Sequence, residues 1–409
     1  MWHLYNKTYD LTNFLKNHPG GEDILLRTKD QKDVTALFEI YHAFADKDKI
    51  KQILNKYEIT DSSSSTTILT KQYDYTNYNQ LVNRVKELFP NHENRKSTTS
   101  FNLFYSFLFG LYVYSFYYAM LATNHTFYKC IMALIAGFSY ISLGFNVMHN
   151  ASHYAISENP KINLLLTKIW SSWALWNPVI WFYHHVYNHH SFTSQEKQDP
   201  DLYHLLPFAR KTKTYTRIHP YLLSIQDKLV PFILFVFPGQ YLGQALSYAY
   251  ASYKKQIFSI PIPNQNYYDD IDAILIATHI YCLLEGLYLP TILYILSLNF
   301  FYSINVVPDH DTYESSVENH YSGDDWCRIQ ICNSANFANQ NTLWTHLFGG
   351  INYQIEHHLF PNVAHIHYPK ISPIVKEYCK ENHIPYVHHD SVIDAYKSFL
   401  KKIAYMKTD

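Results

Sequence analysis

Residues 184–202 read HHVYNHHSFTSQEKQDPDL, with four histidines in the first seven positions. Histidine makes up 24 of 409 residues, so accidental clusters have to be discounted before any of these rings is given a task. At that frequency an HxxxH pair arises roughly 1.4 times by chance, and the pair His149 and His153 proves nothing alone. The pattern HxxxHH, met at His185, His189 and His190, has a chance expectation of about 0.08, and QxxHH, met at Gln354, His357 and His358, one of about 0.05. Three such clusters in one chain are not an accident.

On an α-helix, residues four apart share a face. The spacing therefore predicts that His149 with His153, and His185 with His189, each aim two imidazoles at a common centre. His190 is turned by about 100° from His189 and reaches towards a second metal in the same pocket. Gln354 stands three and four positions ahead of His357 and His358, where it touches the same centre or orients its ligands. His184 faces about 100° away from His185 and is expected to be a bystander. Imidazole suits iron, copper and zinc, but so many candidate ligands exceed the three or four that zinc takes. Soluble di-iron bundles rely on carboxylates, whereas Glu356 is the only acidic residue within these clusters. A histidine-rich site for two redox metals is the expectation.

Composition says where such a site sits. The net charge is -1, so no broad basic field points to nucleic acid. Aromatic residues reach 17%, with 38 tyrosines, while charged residues supply only 16%, a balance suited to membrane interfaces. A mean hydropathy of -0.22 argues against a chain lying mostly within the bilayer. Cys130, Cys282, Cys327, Cys332 and Cys379 show no CxxC spacing, which points away from disulfides and thiolate zinc and towards a reducing, cytosol-facing location. Residues 1–30 are charged throughout and lack the apolar segment of a cleavable signal peptide.

Residues 1–60 carry nine basic and nine acidic side chains among short apolar clusters, the composition of a small soluble domain. DSSSSTT at 61–67 reads as a flexible linker, and the polar stretch up to residue 100 as a helical approach to a membrane domain over 101–409. No charge occurs in 101–124 or in 130–148, and each run is near the roughly 20 residues that cross a hydrocarbon core. The apolar tract 271–308, divided near Pro290, is long enough for two more crossings. Spans are thus expected near 101–122, 127–148, 271–289 and 290–307. Ten Lys or Arg lie in 149–270 and eight in 309–409, which assigns these segments and the N-terminal domain to the cytosolic face. The Trp-rich stretch 163–183, and the tract 229–250 interrupted by FPGQ at 237–240, are expected to be interfacial helices. His279 and Glu285 fall at membrane depth, where ionisable groups are functional candidates.

Within the first domain, His18-Pro19-Gly20-Gly21 is followed by His42 in DVTALFEIYHAF. A six-coordinate haem iron takes neutral imidazoles on both faces of the ring, and glycines let the backbone pass close to the macrocycle. His18 and His42 resemble the axial ligands of the cytochrome b5 family. Only 17 residues precede His18, so part of that family's first strand and helix is missing, with weaker haem retention as the expected effect.

HNASH at 149–153, the stretch 184–202 and GGINYQIEHHLFPNVAHIHYP at 349–369 are similar to the three histidine boxes of membrane front-end fatty acyl desaturases, and a fused cytochrome b5 domain is typical of that family. The resemblance covers nearly the whole chain, and Gln354 heading the third box is the mark of the front-end subfamily. It implies a small α+β cytochrome b5-like domain followed by an all-α membrane desaturase domain with about four transmembrane helices and a cytosolic helical cap. It further implies haem b on His18 and His42, O2 as co-substrate, and two non-haem iron ions on His149, His153, His185, His189, His190, His357 and His358, with Gln354 beside them. Electrons would come from cytochrome b5 reductase. The substrate would be an acyl lipid, as phospholipid or acyl-CoA, met at the endoplasmic reticulum membrane, with both termini and the boxes cytosolic. A first box ending in Ala-Ser-His and three residues inside the second are more similar to Δ5 than to Δ6 enzymes. Δ8 sphingoid long-chain-base desaturases and lipid hydroxylases share the architecture, and a haem-bearing electron carrier without an iron site is the rival from another class.

Two positions depart from the family pattern. Asn150 stands where Asp is usual, which points to a changed hydrogen bond behind the ligands. A further family histidine after the last span is matched by Asn305 here, and His310 is the candidate substitute. His204, His219, His320 and His346 lack partners at ligand spacing and are expected to be polar or capping residues, and His365 and His367 to be structural. ARKTKTYTR at 209–217 is a candidate reader of a lipid headgroup, set against the plainer role of a solvated positive-inside loop.

Overall fold

Two three-residue strands, Trp2–Leu4 and Lys7–Tyr9, open the chain and pair antiparallel with Trp2 opposite Tyr9. Tyr5 and Asn6 between them both adopt positive φ, 53° and 58°, as a two-residue hairpin turn requires. A 3-10 turn, Thr12–Asn17, and helices Glu22–Thr28, Thr35–Tyr41 and Lys47–Tyr57 complete a small α+β unit. The computed structural model describes residues 1–59, 71–90, 95–122, 125–236, 239–258, 260–286 and 288–408, so the linker expected at 61–67 lies outside it.

This first unit shares its apolar faces with the rest of the chain. Trp2, Leu4, Leu11, Val34 and Leu37 form one core with Ile180, Phe182, Tyr183, Val186 and Tyr187 around the second histidine box. Ala36, Ile40 and Ala43 pack instead with Trp326, Ile355, Leu359 and Phe360 around the third. The hydroxyls of Tyr183 and Tyr187 donate to the carbonyls of Arg27 and Asp33 at 2.9 and 2.7 Å. Helix Thr35–Tyr41 is thereby wedged between two histidine boxes.

Among the described residues three helices are long and apolar enough to cross a bilayer: Thr99–Met120, Thr126–Ser152 and Leu289–Glu318. At 22 residues the shortest is about 33 Å long, enough for a hydrocarbon core of about 30 Å. Leu103, Phe107, Phe109, Phe127, Ile131 and Leu134 point outwards from them, as a lipid-facing surface would. The second and third helices meet closely at Gly137, where a Cβ would stand 2.6 Å from the Tyr294 carbonyl oxygen.

The span expected at 271–289 is instead helix Asp270–Glu285, which at 16 residues measures about 24 Å. Its start is fixed by polar bonds. Asp269 caps the amides of Ile271 and Asp272, Asp272 returns a bond to the Asp269 amide, and Lys168 lies 2.5 Å from Asp269 and 3.3 Å from Asp272. The stretch 163–183 folds as helix Pro160–Trp173, a short helix Pro178–Trp181, and a π-helical run Phe182–His189. The tract 229–250 is divided between Pro220–Phe235 and Gly239–Lys254, with residues 237 and 238 of FPGQ outside the described residues.

The third box lies on helix Gln354–Leu359, packed against Tyr78, Leu81 and Val82 of helix Thr76–Lys86 and against Ile371 and Val375 of helix Tyr368–Glu381. A parallel strand pair, Ala335–Phe337 with Val387–His389, backs it, and Asn336 Oδ1 accepts from the Ile355 amide at 2.9 Å. These elements cap the ends of Thr126–Ser152 and Leu289–Glu318.

Candidate metal centre

Local winding decides where each ring points. Gly144–His149 and Phe182–His189 are π-helical, a winding that aligns residue i with i+5. An asparagine supports each run by donating to the carbonyl five residues back: Asn150 to Phe145 at 2.8 Å and Asn188 to Tyr183 at 2.5 Å. An aspartate at 150 would set oxygen against oxygen there, so Asn150 acts on the backbone behind the ligands. His185 accordingly meets His190, with their Nε2 atoms 3.3 Å apart. The expectation that His185 and His189 share one centre is therefore corrected.

Two groups result. The ligand nitrogens of His149, His153, His185 and His357 lie within 4.8 Å of one another, as do those of His189, His310 and His358. His190 sits between the groups, its ring stacked on His358 at 4.3 Å. His310 Nε2 is 3.2 Å from His189 Nε2 and 2.9 Å from the Gln354 amide nitrogen, which brings both residues to the second group. His184 joins neither group. It is buried against Asp201, His204 and Tyr248.

Oxygen atoms hold the outer nitrogens of five rings. Nδ1 of His153 faces the Tyr41 hydroxyl at 3.0 Å, that of His189 faces Asp199 at 3.0 Å, and that of His310 the Asn333 carbonyl at 2.8 Å. Tyr368 lies 3.2 Å from His357 Nδ1, and Gln330 Oε1 lies 2.8 Å from His358 Nδ1. Such partners fix a ring and leave Nε2 for a metal. Inside, Nε2 of His153, His357 and His358 is buried without a partner. His149 and His185 bring their Nε2 atoms to 3.0 Å. Orphaned buried nitrogens are costly, and one cation in each group satisfies them, so the residues fit two metal ions.

Charge agrees with that fit. Burial, reinforced by neighbouring imidazoles, holds His153, His185, His190, His357 and His358 well below the usual imidazole range, neutral as a ligand must be. For His189 burial also opposes charge, but Asp201 and Asp199 outweigh it and raise the ring to about 9. These carboxylates favour a cation on that ring.

The remaining candidates serve elsewhere. The Glu356 carboxylate accepts from Asn336 and Tyr386 at 2.7 and 2.8 Å, on the strand side of its helix. His279 is stacked on Trp173 at 4.7 Å and bonds the Trp173 carbonyl, tying helix Asp270–Glu285 to Pro160–Trp173. Glu285 belongs to neither group. His219 caps the Tyr221 amide, and His367 faces the Lys96 carbonyl at 3.3 Å. The basic stretch 209–217 docks the tail: Arg210 donates to the Met406 carbonyl at 2.7 Å, and Lys211 lies 2.5 Å from Asp311. A cavity of about 350 Å³ runs from His149, His185, His189 and His310 along an apolar wall that includes Met148, Leu234, Leu298 and Val306.

In the first unit, Nδ1 of His18 and of His42 faces the carbonyls of Gly21 and Phe38, each at 2.9 Å, and the two ring centres are 6.1 Å apart. Metal–imidazole bonds of about 2 Å, with about 1 Å more to each ring centre, give about 6 Å for two rings across one iron. A Cβ on Gly20 would stand 2.8 Å from His18 Cε1, so only glycine leaves the ring its place. Burial lowers His42 to about 4 and His18 below its ordinary value, keeping both neutral. The pair fits a bis-imidazole haem. Sequence reasoning missed Tyr41, Gln330, Asn333 and Tyr368, which carry no local signal, and Asp199, whose signal was its place in DPDL directly after the second box.

Residues 126–390 match the fatty acid desaturase family, and residues 1–63 match the cytochrome b5-like heme/steroid binding domain. The chain is 28% identical, over 98% of its length, to an acyl-lipid (8-3)-desaturase of Mortierella alpina, of which it covers 92%. It is 26% identical to an acyl-lipid (8-3)-desaturase of Physcomitrium patens, over 98% of this chain and 87% of that one. Delta(5) fatty acid desaturase A of Dictyostelium discoideum is 27% identical over 98% of this chain and 89% of its own. With two histidine groups and a bis-imidazole pair already in hand, these matches mean that the chain belongs to the fatty acid desaturase family, as a membrane oxidoreductase with its own cytochrome b5-like haem domain.

Proposed function

We propose that the chain is a front-end acyl-lipid desaturase that introduces a cis double bond at Δ5, between the carboxyl end and an existing double bond of a polyunsaturated acyl chain. The carrying observation is the pair of histidine groups with inward, unpartnered Nε2 atoms at the end of an apolar cavity. His149, His153, His185 and His357 would hold one iron, His189, His310 and His358 the other, with His190 between them and Gln354 at the second. When bound, these irons and O2 supply the oxidant that removes two hydrogens from adjacent methylenes. The cavity's apolar wall holds the acyl chain and excludes water. Asp199 and Asp201 supply negative charge behind His189. The three-residue gap in the second box and the Delta(5) relative support the position.

Residues 1–60 serve as the haem domain on His18 and His42, fed by cytochrome b5 reductase, and 101–409 as the membrane domain. Four crossings are supported by geometry. Helices Thr126–Ser152 and Leu289–Glu318 each bring a ligand near their C-terminal ends, His149 and His310, to neighbouring groups, so the chain has to return to the far side before Leu289. Helix Asp270–Glu285 begins beside Lys168 and is followed by Gly286 against Met120, the far end of Thr99–Met120. It is the fourth crossing in this reading, which leaves both termini and all boxes on the cytosolic face of the endoplasmic reticulum.

Iron analysis of the purified full-length chain, with haem iron subtracted, tests the assignment. At least two non-haem irons per chain are expected, falling in a His185→Gln variant. A value near zero in the wild type would overturn it.

A further inference from the structure

A third cluster lines the same cavity, outside both histidine groups. His184 Nε2 lies 2.8 Å from Asp201 Oδ1 and 3.0 Å from His204 Nε2, and His204 Nε2 lies 3.4 Å from the same carboxylate oxygen. Protons alone satisfy this triangle poorly. A neutral imidazole offers one donor and one acceptor. If His184 Nε2 carries hydrogen and gives it to Asp201, His204 Nε2 faces an N–H already in use. If His204 donates to His184, the His184 lone pair faces a carboxylate oxygen at 2.8 Å. In the first case one N–H is shared between two acceptors that stand 3.4 Å apart, and in the second two acceptors meet at 2.8 Å with no proton between them.

A cation resolves all three contacts. Ligand atoms at about 2.0–2.2 Å in a tetrahedral arrangement are separated by roughly 3.3 Å. The Nε2 pairs within the two histidine groups show the same spacing, from 3.0 to 3.2 Å. The Tyr248 hydroxyl, 2.8 Å from His184 Nδ1, orients that ring as outer partners do in the main centre. The second oxygen of Asp201 lies 3.4 Å from His189 Nδ1, so one carboxylate stands between this cluster and the second group. The nearby cation, Lys211, is already engaged, at 2.5 Å from Asp311 and 2.8 Å from the Asp201 carbonyl.

We propose that His184, His204 and Asp201 form a third, separate site for a first-row divalent cation, open on its fourth side to the cavity. Two imidazoles and one carboxylate with an open position suit zinc or iron(II). The open position takes an oxygen donor from the cavity, water or a substrate carbonyl.

The test is an anomalous-difference map of the full-length, haem-loaded protein crystallised with Zn2+ and measured at the zinc edge. A peak within bonding distance of His184, His204 and Asp201 is expected, lost in His204→Gln while peaks in the histidine groups persist. A map with no peak there overturns the site whether or not the two histidine groups are filled, so its failure stays distinct from failure of the di-iron assignment. A peak that survives His204→Gln overturns it as well. Should that variant fail to fold, the same map of His184→Gln decides: a lost peak supports the site, and a retained peak overturns it.

Discussion

The Tyr41 hydroxyl lies 3.0 Å from His153 Nδ1, and Tyr41 is the residue next to His42. Covalent bonds and one hydrogen bond therefore join the haem side of the chain to the first histidine group. Tyr41 itself packs against both apolar clusters, the one with Leu37, Tyr183 and Val186 and the one with Ile40 and Phe360. Tyr41→Phe keeps the ring and removes the bond. Stopped-flow reoxidation of the haem is expected to slow about tenfold, with the Soret band and iron content unchanged. An unchanged rate would mean that electrons take another route.

Asp199 fixes His189 from behind, at 3.0 Å, while its other oxygen accepts from the Ser194 amide at 2.7 Å. Asp199→Asn removes the charge and keeps the shape. Loss of such a partner typically costs about 10–100-fold in metal affinity, so competition with a chelator should release iron from the variant at correspondingly lower chelator concentration. Equal retention would deny Asp199 this role.

Acid should destabilise the metal-free, haem-free chain. Burial holds His42 at about 4 and keeps His153, His185, His190, His357 and His358 well below the usual value. These rings stay neutral when folded and take up protons when unfolded, so stability falls as pH drops from about 6.5 towards 4. His189, raised to about 9, has the opposite sign: its contribution is full below about 6.5 and is lost as pH rises through 9. Six groups outweigh one. The apoprotein Tm is expected to fall between about pH 7 and 5, and a flat or rising Tm would contradict the account.

Asp311 lies 2.5 Å from both Lys211 and Lys402, and Lys402 is almost wholly buried. Asp311→Asn leaves two cations without their counter-charge, which for buried pairs costs about 3–5 kcal/mol. A clear drop in Tm of the detergent-solubilised protein is expected. Changing Lys402 to Met in the same chain should recover part of it.

The histidine boxes could be read from the sequence because their spacing is linear, and the structure brings their rings into two groups. Their division could not be read, because π winding at 182–189 depends on where Asn188 places its amide and on what packs behind Tyr183 and Tyr187. The partners of His184, namely Asp201, His204 and Tyr248, could not be read either, because they arrive from other elements of the chain. The apolar tract 271–308 predicted two spans of similar length, yet the first helix stops at Glu285, where the Gly286 N–H at the C-cap donates to the Cys282 carbonyl. His18 and His42 were legible because HPGG carries its own backbone constraint.

The most direct measurement feeds di- and tri-unsaturated C18 and C20 acids to a yeast that lacks polyunsaturates and carries this chain, then locates new double bonds by mass spectrometry. A new cis double bond at carbon 5 of the acyl chain is expected, absent when His357 and His358 are changed to Gln. Products hydroxylated at that position, or unsaturated only at carbon 8 of sphingoid bases, would contradict it.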